Sequence, residues 1–176
     1  AFPAVYSGCI QLVGRFVDGH KREDDAYFFY SVAQELLYGQ VIGWCKSYVL
    51  YNEKRMAFLR RAVGIRYRYT EFFRGGRLLR PPRVLCDVPA RPTQAGQTWY
   101  RDPVEMPAVL AGAWQARDGR RILIAINITE ETVDFTLRLK RAEYGIGTDD
   151  ARFDVRSDEC ALQCAAEPLE IRIIEL

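Results

Sequence analysis

Gly75-Gly76 divides this chain between two hydrophobic periods, and no single kind of secondary structure accommodates both. Before it, apolar residues recur at helical spacing. Over residues 24–38, Phe28, Val32 and Leu36 form one row and Phe29, Ala33 and Leu37 the next, which predicts a helix with a broad buried face. Asp24 and Asp25 suit its positive amino end, and Gly39 is the expected left-handed stop. A longer helix is predicted from a cap at Asn52 to about Phe72, with Met56, Leu59, Val63 and Tyr67 on one stripe. After Gly76 the period is two. Val133, Phe135, Leu137 and Leu139 alternate with polar neighbours, as do Leu169, Ile171 and Ile173. Arg117-Asp118-Gly119-Arg120 predicts a tight hairpin, because Asp-Gly supplies positive φ angles. With weaker strands expected at residues 77–79, 84–88 and 152–155, the second half reads as an antiparallel β-sandwich of about six to eight strands. Residues 89–107, carrying Pro92, Gly96, Pro103 and Pro107, read as a long connection.

Two short apolar segments complete the first half. Phe2-Pro3-Ala4-Val5-Tyr6 and Val41-Ile42-Gly43-Trp44 are predicted to be buried strands, so the order is strand, helix, strand, helix. That order suits parallel strands covered by helices. The expected fold class is therefore α/β plus all-β, with a β/α segment over residues 1–75 and the sandwich over residues 76–176. Opening directly on a strand, the chain reads as the carboxy-terminal piece of a larger architecture.

Charge and cysteine usage narrow the partners. A net charge of +2, from 25 basic and 23 acidic residues spread along the chain, provides no basic stripe to track phosphates, so nucleic acid is not an expected partner. No apolar run reaches the roughly 18 residues that span a bilayer, so no membrane partner is expected. Cys9, Cys45, Cys86, Cys160 and Cys164 are odd in number and sit in apolar surroundings, which favours free thiols in a reducing, cytoplasmic compartment. The lone His20, and a Cys160–Cys164 spacing too wide for a CxxC motif, leave no ordinary zinc ligand set. Neither a metal nor another cofactor is expected.

The residues Phe2-Pro3-Ala4-Val5-Tyr6-Ser7-Gly8, Gly39-Gln40-Val41-Ile42-Gly43-Trp44, and Gly112-Ala113-Trp114-Gln115-Ala116-Arg117-Asp118-Gly119-Arg120 leading to Ile126-Asn127-Ile128 carry a resemblance. The chain resembles the end of a glycoside-hydrolase-like TIM-barrel protein: the last two βα units, then the carboxy-terminal β-sandwich. The resemblance implies a carbohydrate ligand at the carboxyl ends of the strands. Tyr6 and Trp44 would stack on a sugar, Gln40 and Lys46 would donate hydrogen bonds, and Asp18, in the loop after the first strand, is the best candidate for a catalytic acid. Two βα units cannot close an eight-stranded barrel, so the remainder, in the same or another chain, is an implied partner. The competing reading is a carbohydrate-binding or structural sandwich without catalysis, for which Trp99-Tyr100 is the candidate aromatic cluster. Asn127-Ile128-Thr129 matches a glycosylation sequon.

Overall fold

A computed structural model describes residues 5–6, 12–14, 25–43, 47–93 and 104–176. The first helix, α1 (Asp25–Leu37), follows the double apolar row, burying Phe28, Phe29, Val32, Ala33, Leu36 and Leu37. Gly39 ends it at a φ of 65°, with its N–H on the Leu36 carbonyl and the Gln40 N–H on that of Glu35. A 3-10 helix (Ser47–Tyr51) leads to α2 (Glu53–Arg68), whose cap is Asn52: its side chain accepts from the Arg55 N–H at 3.1 Å. The expected single long helix breaks at Tyr69, and a short α3 (Thr70–Phe73) turns Phe72 and Phe73 into the core. The face that α2 buries is Arg55, Phe58 and Ala62. The Met56–Leu59–Val63–Tyr67 stripe lies to one side of it, and Tyr67 is 85 % exposed.

The first strand is corrected. Val5 and Tyr6 have helical backbone and are exposed, while Phe2, Pro3 and Ala4 lie outside the described residues. Val41 forms its parallel bridge with Val13 instead. The Gly14 N–H donates to the Val41 carbonyl at 3.0 Å and the Val41 N–H to the Leu12 carbonyl at 2.8 Å. Pro3 has no N–H for a ladder, whereas Gly14 lets α1 close on the strand: a Cβ there would lie 2.5 Å from the Glu35 carboxyl. The polar and small residues around Leu12-Val13 hide this pairing from an apolar-run criterion. Of the expected Val41–Trp44 strand, Val41 is bridged, Ile42 and Gly43 are half-buried, and Trp44 lies outside the described residues.

Beyond Gly76 the described chain is antiparallel. One sheet orders β1 (Arg77–Leu78), β5 (Val109–Gln115), β6 (Arg121–Asn127) and β10 (Ile171–Glu175) as β1-β5-β6-β10. The other orders β2 (Arg83–Cys86), β7 (Val133–Lys140), β9 (Glu159–Ala166) and β8 (Asp154–Arg156) as β2-β7-β9-β8. A short α4 (Arg141–Tyr144) follows β7. The Asp118-Gly119 hairpin joins β5 to β6 as expected, with Gly119 at a φ of 94°. Two expectations change. Within the long connection, β3 (Arg91–Thr93) pairs with β4 (Val104–Met106), and Leu169, at a φ of 55°, stands outside β10.

The two apolar clusters explain the layering. Ile122, Ile124 and Ile126 of β6 face α1, α2 and Trp114 in one cluster, while Leu123 and Ala125 join Val133, Phe135, Leu137 and Cys160 of the second sheet in the other. The first sheet is thus covered on both faces, which is why β6 reads as a continuous apolar run. Trp114 is fully buried, stacks edge-on with Phe73 at 5.4 Å and donates its indole N–H to the Leu37 carbonyl at 2.9 Å, closing the last turn of α1. The sequon is buried too. Asn127 has no exposed surface; its amide donates to the Glu131, Ala166 and Glu167 carbonyls, and its oxygen accepts from the Thr129 N–H and hydroxyl. It is a structural tie, with no face left for a glycan. The described chain is a mixed fold of helices and antiparallel sheets.

Candidate functional site

A single parallel bridge with a helix between its two segments fixes where the connections lie. The bridged segments at Val13 and Val41 run the same way, and α1 carries the chain back between them. Residues 15–24 therefore link the carboxyl end of the first segment to the start of α1, and residues 44–52 link that end of the second to the start of α2. Both helix starts meet. The Asp25 carboxylate accepts from the Arg55 Nε at 2.6 Å and from the Asn52 amide at 3.3 Å. Arg55 is only 5 % exposed, and its guanidinium lies 5.3 Å from the centre of the Phe28 ring. Asp25 complements the α1 dipole while neutralising Arg55. Removing Asp25 takes a charge-assisted hydrogen bond from the buried Arg55, a loss of about 1.5–3 kcal/mol.

Beside this junction is a cavity of about 230 Å³ lined by Phe29, Met106, Pro107 and Ile128 and by the polar residues Asp25, Arg91, Thr129, Glu130 and Glu131. The turn after β6 contributes Thr129 to Glu131 because Asn127 holds its backbone from beneath. Lys54 pairs with Glu130, and Arg91 with Glu131 at 3.6 Å. The hydrogen bond to Glu130, reinforced by the charges of Glu130 and Asp25, raises the Lys54 ammonium above its ordinary range. An apolar floor with charged hydrogen-bonding groups around its rim suits a ligand that has both hydroxyls and an apolar face.

The expected site residues divide. Asp18 falls in the first connection, and Trp44 and Lys46 in the second; all three lie outside the described residues. Gln40 precedes the bridged Val41 and so stands at the amino end of its segment, where its carbonyl accepts from the Arg66 Nε at 2.7 Å. Tyr6 is exposed, on helical backbone. The Asp25–Asn52–Arg55 junction is the part the sequence reading missed. Asp25 and Asn52 were legible as helix-start residues, and the remaining signal was Arg55, a cation in register with Phe58 and Ala62. Glu35, fully buried against Gly14, likewise shares the face of Phe28 and Val32.

Among the described residues, no group of His, Cys, Asp and Glu is arranged to hold a metal ion, and no helix is long and apolar enough to cross a membrane. Burial pushes the Cys160 and Cys164 thiols up, away from nucleophilic use. No protein-family model matches the chain, and neither a curated protein nor a solved structure does.

Proposed function

We propose that this chain is the carboxy-terminal part of a carbohydrate-active, glycoside-hydrolase-like protein, forming one wall of a sugar pocket and an accessory β-sandwich. The observation that carries the proposal is the meeting of the two helix starts, each reached from a bridged segment, at the Asp25–Asn52–Arg55 junction beside a cavity with an apolar floor. The connections into those helices carry Asp18, Trp44 and Lys46. In a (β/α) barrel, loops at this end hold the substrate. Trp44 supplies a stacking face, Lys46 a hydrogen bond, and Asp18 the candidate acid; further strands beside Val13 and Val41 complete the sheet. The two antiparallel sheets sharing the apolar cluster around Leu123 and Phe135 fit the accessory sandwich.

Titration of neutral oligosaccharides against the protein and its Trp44→Ala variant tests the proposal. Binding should weaken by roughly 1–3 kcal/mol with the melting temperature unchanged. Equal affinity with a large loss of stability would make Trp44 a core residue and remove the sugar pocket. The second reading, a binding or structural sandwich with the helices as its platform, draws support from the burial of Phe28, Phe29 and Phe58 in the cluster over the first sheet. It predicts that substitutions in residues 15–24 and 44–46 leave ligand binding untouched.

A further inference from the structure

The outer face of the second sheet presents a charge arrangement that folding alone does not favour. Arg83 of β2 lies directly opposite Arg138 of β7 in the register, so both exposed guanidinium stems rise from one face. Like charges directly opposite each other destabilise a sheet. Among the described residues, neither arginine has a carboxylate within ion-pair reach, whereas the neighbouring Arg156 is paired with Asp154 at 3.1 Å. Lys140, in register with Glu159, extends the same face. Along this face runs a trough of about 310 Å³ lined by Thr136, Arg138, Ala161 and Gln163 together with Glu159 and the Asp154–Arg156 pair, and Arg83 stands beside it on the adjacent strand. Ala161 stands in register between Arg138 and Asp154, and the small residue between long ones makes the depression.

We infer that this trough and the Arg83 beside it bind an acidic saccharide, a polyhydroxyl chain carrying carboxylates, with Arg138 of the trough and Arg83 of the adjacent strand holding one carboxylate between them. Two guanidinium groups on adjacent strands, with no carboxylate partner among the described residues, offer forked donors to a planar anion. Thr136 and Gln163, paired in the row beside them, supply hydroxyl and amide groups for sugar hydroxyls. No aromatic ring lines the trough, so stacked bases find no platform and single-stranded nucleic acid is the poorer occupant. The inference shares with the proposed function only the saccharide class of the ligand. Its site lies on a different sheet from the cavity beside Asp25.

The experiment is affinity electrophoresis of the full chain through gels containing polygalacturonate, neutral dextran or single-stranded DNA, with Arg83→Ser, Arg138→Thr and Trp44→Ala variants run alongside. Retardation is expected in polygalacturonate, weakening with added salt, and any retardation in dextran should be untouched by the arginine substitutions. Each arginine substitution should reduce that affinity about tenfold or more, as for loss of a charged hydrogen bond. Trp44→Ala should leave it unchanged, so this site and the sugar pocket fail separately. The melting temperature of Arg138→Thr should stay level or rise as the repulsion is relieved. Equal retardation of wild type and both arginine variants would overturn the inference, and so would stronger retardation by DNA than by polygalacturonate.

Discussion

At the residue scale, buried polar groups set the sharpest expectations. Asn127 ties the turn after β6 to the end of β9, satisfying the Glu131, Ala166 and Glu167 carbonyls and the Thr129 N–H and hydroxyl. Asn127→Ala removes all five of these hydrogen bonds, three of them buried, so it should lower the unfolding free energy in urea by about 2–4 kcal/mol; a loss under about 1 kcal/mol would mean that water replaces the amide. Tyr144 gives a pH signature. Burial, reinforced by the charge of Glu143, pushes its hydroxyl from the ordinary value near 10 up to about 12, and the hydroxyl donates to the Arg80 carbonyl. The folded chain therefore favours the neutral phenol. Its contribution is complete below pH 10 and is lost as the pH rises from there through about 12, a total of about 2–3 kcal/mol. In urea titrations at pH 9 and above, Tyr144→Phe should flatten that decline, and an unchanged slope would remove Tyr144 as its source.

At the element scale, side chains from one element complete another. Trp114 of β5 closes the last turn of α1, and Arg66 of α2 donates to the Gln40 and Gly39 carbonyls just beyond it. Burial lowers the Arg66 guanidinium from its ordinary value. A Cβ on Gly39 would lie 2.7 Å from the Trp114 ring at a φ of 65°, so Gly39→Ala combines a steric clash with backbone strain. It should lower the melting temperature more than Gly119→Ala, which has a positive φ but open space. Equal shifts in the two variants would show that the Trp114 contact adds nothing. Sequence patterning located α1, the hairpin at Gly119 and the switch of period at Gly75-Gly76, because each is encoded by neighbours in the chain. It misplaced the Val13 segment, because that pairing spans residues distant in sequence and depends on a glycine that admits Glu35. The Met56–Leu59–Val63–Tyr67 stripe is apolar by sequence, yet the buried face of α2 is Arg55, Phe58 and Ala62, with Phe58 packed edge-on against Phe29 of α1, a choice fixed by tertiary packing.

At the scale of the whole molecule, the first sheet is the shared layer: one face packs on the helices and the other on the second sheet. Residues 76–176 alone would bare Ile122, Ile124, Ile126 and Trp114, so that fragment should lose the cooperative melting of the full chain and bind apolar dyes. A sharp transition matching that of the full chain would show that the helices contribute no stability. The candidate site was legible only in part: Asp18, Trp44 and Lys46 could be assigned to connections from their order in the chain, whereas the Asp25–Arg55 pair that brings those connections together depends on the packing of α1 against α2. The central claim is that carbohydrate binds where the two connections meet. Amide chemical shifts of the isotopically labelled chain, followed during titration with neutral oligosaccharides, test it most directly. The largest changes should fall on Gly14, Asp25, Gly43 and Glu130, clustered around the strand ends and the neighbouring cavity. Saturable changes confined to the sheets, with those four amides unmoved, would contradict it.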